Sequence, residues 1–151
     1  MDVVDATGRL GASSVGAVCA ALTRCLAEFG AAGELRVRVV DDAEMSALHL
    51  ERSSVPGPTD VLTFDLSDGD GLDCDVTVCL DEAARRASGD VAPELVLYAL
   101  HGALHCLGFD DRSNEDAARM HAEEDRLLEA AGLGRVFAEG QARADNAEAD
   151  R

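Results

Sequence analysis

The stretch Pro93-Glu94-Leu95-Val96-Leu97-Tyr98-Ala99-Leu100-His101-Gly102-Ala103-Leu104-His105-Cys106-Leu107-Gly108-Phe109-Asp110-Asp111 decides how this chain is read. Proline suits the first turn of a helix, where its missing N–H leaves no bond unmade, so the pattern predicts a helix from Glu94 to about Leu107. Gly108 then stops it, because glycine enters the left-handed region freely. His101 and His105 stand four apart and share one helix face, with Cβ atoms about 5–6 Å apart, close enough to share one ion. Leu97, Tyr98, Leu100, Leu104 and Leu107 surround them with apolar side chains. Once Gly108 has turned the chain back, Asp111 presents a carboxylate to the same point. Three protein ligands leave a fourth position open, the arrangement of a catalytic rather than a structural zinc site. Two histidines four apart are common on helices, and Asp110-Asp111 alone would pass for turn residues. With Gly108 between them, the set favours a metal site.

Outward from this helix, Ser13 or Ser14 is placed to cap a helix through Val18, Leu22 and Leu26 that Gly30 closes. Residues 34–40 alternate charged and apolar side chains as a half-buried strand does. Asp41 or Asp42 caps a short helix carrying Met45 and Leu48, and Pro56-Gly57-Pro58 marks a loop. Residues 60–64 and 75–79 read as further strands, joined by a turn holding Gly69 and Gly71. Asp81 opens a short helix. The last helix runs from about Asn114 to Ala131, with Met120, Leu127 and Leu128 as its apolar stripe and acidic residues elsewhere. The expected fold is α+β: a small mixed β-sheet flanked by helices, with a central metal-binding helix. Residues 1–137 form one metallohydrolase domain, and 138–151, which lack periodicity, are expected to be a disordered acidic tail.

At 151 residues, with 47% apolar and 28% charged side chains, the chain can bury a core without staples. A net charge of −17 argues against a broad nucleic-acid-binding surface, and DNA is not expected as a partner. All 13 basic residues are arginines, so a small arginine-lined cleft for phosphate is compatible with the acidic surface. The five cysteines include no CxxC pair and read as buried small hydrophobes; Cys74 and Cys79, five apart on a strand, should face opposite sides. No apolar run looks long enough to cross a bilayer, and residues 1–5 do not resemble a signal peptide, so a cytoplasmic protein without a membrane partner is expected.

The spacing HxxxHxxGxxD overlaps that of metzincin-type zinc peptidases, which place a glutamate general base directly after the first histidine. Here that position is Gly102, so a metallopeptidase is retained only as an alternative. A second alternative is a non-catalytic, metal-stabilised factor. A ferrous oxygenase is disfavoured because nothing reads as a barrel of short, evenly spaced strands.

Residues 101–111 closely resemble the HGxLHLxGYDH signature of the YbeY family of rRNA-maturation endoribonucleases. The likeness continues upstream. Residues 38–45 are similar to that family's strand and helix start, 58–64 to its PT(D/N)VLSF segment, and 75–79 to its GDIVIC strand. The match runs in order over roughly residues 33–132. The resemblance implies a single-strand-specific, metal-dependent endoribonuclease acting in 16S rRNA 3′-end maturation and ribosome quality control, with ribosomal RNA and the ribosome as partners. It implies one Zn²⁺ per chain on His101, His105 and Asp111. For RNA cleavage, Arg52 is the candidate for the substrate phosphate, and Asp60 and Asp110 are candidates for acid–base assistance, each also readable as a turn or cap residue. The departures are Asp111 for the family's third histidine, Cys74 for a glycine, and the family's arginine, which is either displaced by one position to Arg52 or absent. An oxygen ligand at 111 also suits Mn²⁺. His49 and His121 are read as ordinary surface residues.

Overall fold

The computed structural model describes residues 1–137; the expected tail over 138–151 lies outside them. In chain order the elements are β1 (Asp2–Asp5), α1 (Ala12–Phe29), β2 (Gly33–Val40), α2 (Asp42–Ser53), β3 (Val61–Asp65), β4 (Leu72–Cys79), α3 (Leu80–Arg86), α4 (Ala92–Cys106) and α5 (Asn114–Ala130). The strands form one sheet in the order β1-β2-β4-β3. β1, β2 and β4 are parallel, whereas β3 runs antiparallel to β4 at the edge. The mixed α+β fold expected from the sequence is the one formed.

Strand alternation builds the core. The register pairs Leu35 with Cys74, Val37 with Val76 and Val39 with Val78. These six side chains share one face and are buried with α1, α4 and α5 in the main hydrophobic cluster. The opposite face carries Arg36, whose guanidinium binds both Asp73 and Asp75 of the neighbouring strand. Further along that face, Val40 and Cys79 join Met45 and Leu62 in a second, smaller cluster beneath α2. Cys74 and Cys79 therefore lie on opposite sides, as their spacing requires.

α4 is the central helix because its sequence is apolar almost all round. Glu94 to Leu100 are buried without interruption, which one amphipathic stripe could not produce. Its end is set by Gly108 at φ 103°, beside which the Phe109 N–H donates back to the Leu104 carbonyl at 3.0 Å.

Two local expectations change and one is narrowed. The α1 N-cap is Gly11, not Ser13 or Ser14, which sit in the first turn. The preceding loop decides this: the Asp5 carboxylate accepts the Thr7 and Leu10 N–H groups, each at 2.9 Å, and so fixes where the chain enters the helix. Asp41 rather than Asp42 caps α2, accepting the Glu44 N–H at 2.9 Å. Finally, α1 is by length and composition apolar enough to cross a membrane, contrary to the sequence reading. Its Val18, Leu22, Cys25 and Leu26 instead pack into the same core as α4 and α5.

Gly102 fixes how closely α4 approaches the sheet. A Cβ there would lie 2.6 Å from Thr63 Oγ1 and 3.1 Å from both Val76 methyls. Thr63 and Val76 are β-branched and register partners on adjacent strands, so neither can swing away cheaply. Gly102→Ala should therefore overpack this contact and lower stability by about 1–3 kcal/mol. Urea unfolding of the two proteins measures it; equal midpoints would show that the helix can shift outward freely.

Candidate metal centre

A step of four residues, about one helical turn, separates the two α4 imidazoles, and their Nε2 atoms come to 3.1 Å. Asp111, returned by the Gly108 turn, places Oδ2 at 3.5 Å from His101 Nε2 and 3.6 Å from His105 Nε2. The three donors are thus brought together as the spacing suggested. Their separations match the edge of a tetrahedral zinc shell, about 3.3 Å for ligands about 2.05 Å from the ion.

Hydrogen bonding prepares both rings as ligands. His101 Nδ1 lies 2.5 Å from Glu124 Oε1, and His105 Nδ1 lies 3.1 Å from the Phe109 carbonyl. A carboxylate and a carbonyl only accept, so each Nδ1 carries the proton and each Nε2 turns a lone pair inward. Two lone pairs and a carboxylate oxygen facing one point repel one another unless a cation lies between them. This donor set fits a divalent ion. Side-chain exposure rises from 19% at His101 through 32% at His105 to 38% at Asp111, so the point of convergence opens to solvent on the Asp111 side.

Burial alone would lower the His101 pKa. The Glu124 hydrogen bond, with the fields of Glu124, Asp111 and Asp60, outweighs it and holds the imidazole above its ordinary value. The same concentration of negative charge favours a bound cation.

Glu124 and His121 are part of this centre, although the sequence did not reveal them. Glu124 is fully buried, and its second oxygen, Oε2, accepts from His121 Nδ1 at 3.0 Å. His121 in turn lies flat against Phe137, with ring centroids 3.6 Å apart. One carboxylate thus joins two imidazoles on α4 and α5, and His101, His121 and Glu124 form a second cluster of ligand-type atoms. The reading of His121 as a surface residue is corrected. His49 is also not a free surface residue, since its Nδ1 lies 2.9 Å from the Gly57 carbonyl and ties α2 to the following loop. A signal for Glu124 did exist: Met120, Glu124, Leu127 and Leu128 share one helical stripe, and a lone acid within it needs a buried partner.

The other three candidates lie differently. Asp60 precedes β3, where its carbonyl accepts the Cys79 N–H at 2.9 Å; its exposed carboxylate adds to the field at His101. Arg52, in the last turn of α2, holds its guanidinium 4.1 Å above the Phe64 ring. Among the described residues it has no carboxylate partner, unlike Arg36, Arg38, Arg85 and Arg126. Asp110 is occupied by Arg112 and by the turn's own N–H groups.

Comparison with known proteins identifies the family. The family model described as Endoribonuclease YbeY matches residues 13–132. The chain is 40% identical over 114 residues to the Endoribonuclease YbeY of Halorhodospira halophila, covering 69% of this chain and 74% of that protein. It is 41% identical over 129 residues to the protein of that name from an Anaeromyxobacter species, covering 78% and 67% respectively. The protein of that name from Mycobacterium tuberculosis is 33% identical over 111 residues, 64% of this chain and 63% of its own length. A solution structure of TM1509 from Thermotoga maritima shares the fold, with a TM-score of 0.58 and 23% identity across 95% of this chain and 93% of that one. A contiguous match over residues 13–132, containing the α4 histidines, Gly102 and Asp111, establishes that this chain belongs to the YbeY endoribonuclease family.

Proposed function

We propose that this protein is a metal-dependent endoribonuclease that cleaves single-stranded RNA, with ribosomal RNA at the 16S 3′ end as its cytoplasmic substrate. The observation that carries the reading is the open convergence of His101, His105 and Asp111 in a chain of this family. These three residues hold one ion, with zinc first in order and manganese admitted by the carboxylate. When bound, such an ion supplies Lewis acidity at a phosphoryl oxygen and acidifies water toward a pKa of about 7.

The chain's own residues supply the rest. Arg52 takes the substrate phosphate: stacked on Phe64, it keeps its N–H edges free, and no described carboxylate competes for them. Asp60, on the loop entering β3, is the acid–base group, its carboxylate being exposed and close enough to act on His101 through its field. Peptidase chemistry is disfavoured at Gly102, where even a Cβ collides with the sheet, so the helix has no room for a glutamate base.

Elemental analysis should find one divalent ion per chain, and His105→Ala should lose both the ion and cleavage of single-stranded RNA while keeping its helical circular dichroism. Turnover of casein with RNA left intact would reverse the reading. Arg52→Ala should lower kcat/KM on RNA about tenfold or more, through KM, as expected for one charge-assisted hydrogen bond of about 1.5–3 kcal/mol. An unchanged KM would remove Arg52 from the phosphate.

Asp111 separates this site from a three-histidine one. Its carboxylate adds one negative charge beside the ion, which weakens the field there. Asp111→His should keep the metal, move the pH–activity profile to lower pH and sharpen zinc over manganese. Asp111→Ala should instead bind metal much more weakly in a chelator competition. Metal affinity equal to the parent would show that Asp111 is no ligand.

A further inference from the structure

Cys74 and Cys106 meet between β4 and α4, with Sγ atoms 2.8 Å apart, within about 1 Å of the ~2.05 Å length of a disulfide bond. The meeting follows from the packing at Gly102, which seats α4 on Val76 of β4. Cys106 is one helical turn beyond Gly102, an advance of about 6 Å. Cys74 is two residues before Val76 on the same strand face, about 6.6 Å away. With helix and strand running in opposite senses, the two steps match and the sulfurs coincide. Two other buried thiols are engaged elsewhere, Cys25 with the Leu127 carbonyl and Cys79 with Asp42.

We propose that Cys74 and Cys106 form a reversible disulfide site, closed by an oxidant of the hydroperoxide class. Cys106 is half-buried and Cys74 is sealed, so the oxidant meets Cys106 first. The Cys106 sulfur attacks one peroxide oxygen and the O–O bond breaks. The second oxygen departs as water with the thiol proton, leaving a sulfenic acid. The Cys74 sulfur then attacks the Cys106 sulfur, forming the S–S bond as the S–O bond breaks. The hydroxyl leaves with the Cys74 proton as a second water. Two thiols are oxidised by two electrons and one hydrogen peroxide is reduced to two waters. The 2.8 Å approach of the two sulfurs selects this pair, and attack proceeds through the thiolate fraction of Cys106. The bond pins the last turn of α4, which carries His105, to the middle of the sheet, and a dithiol reductant releases it.

The test uses the wild-type protein, treated with hydrogen peroxide and then alkylated under denaturing conditions. Alkylatable thiols should fall from five to three and return to five after dithiothreitol. Proteolysis on the N-terminal side of aspartates, which separates Cys74 from Cys79 at Asp75, should yield a Cys74–Cys106 linked peptide. Cys74→Ala and Cys106→Ala, under the same treatment, should each retain all four remaining thiols after reduction and show no such link. Five alkylated thiols in the treated wild type, Cys106 recovered as sulfinic acid, or either residue linked to a different cysteine would each overturn the proposal. The decisive measurement is made on the parent chain, so a variant that fails to fold does not affect it.

Discussion

The close approach of α4 to the sheet at Gly102 is the contact on which the rest of the molecule depends. With no side chain at that position, the helix backbone settles against Thr63 of β3 and Val76 of β4. Two consequences follow from helical geometry alone. His101 and His105, flanking Gly102, are held at a fixed height above the edge strand, and Cys106 is carried onto Cys74. The glycine that displaces a peptidase's general base is thus the residue that lets the helix reach this depth. A packing requirement, rather than a chemical one, accounts for the departure from the peptidase pattern.

Charge is distributed with a similar economy. In a chain of net charge −17, most described arginines are held by carboxylates along the sheet and helix surfaces. Arg52 lies instead on an aromatic ring, which orients it without neutralising it. Carboxylates meanwhile converge from several elements on His101: Glu124 from α5, Asp111 from the turn after α4 and Asp60 from the loop before β3. A concentrated negative field around two imidazole lone pairs selects a cation.

Glu124 shows how a buried charge is accommodated. A carboxylate at the centre of a helix stripe would be costly alone, yet each of its oxygens accepts from an imidazole Nδ1. The pairing fixes the ring of His101 and ties α5, which carries Glu124, to α4, while His121 on the same helix donates to the second oxygen. Support for the candidate centre and cohesion of the helix layer are the same set of bonds. His121 keeps its place by stacking on Phe137, at the end of the described chain.

The sequence by itself determined what lies within a turn or two of the backbone. The apolar helix of residues 92–106, its stop at Gly108, the histidine pair, the Asp41 cap within an Asp41-Asp42 choice and the alternation of residues 34–40 all express local periodicity. The YbeY-like signature made the family legible, and the spacing after Gly108 singled out Asp111, whose Oδ2 lies 3.5 and 3.6 Å from the two Nε2 atoms. Tertiary structure alone decided the strand order, the antiparallel edge position of β3, the partnership of Glu124 with two histidines and the contact of Cys74 with Cys106. The physical reason is separation along the chain. Local propensities depend on neighbours three or four residues away, whereas His101 and Glu124, 23 residues apart, and Cys74 and Cys106, 32 apart, meet only because burying the apolar faces of sheet and helices leaves them no other place.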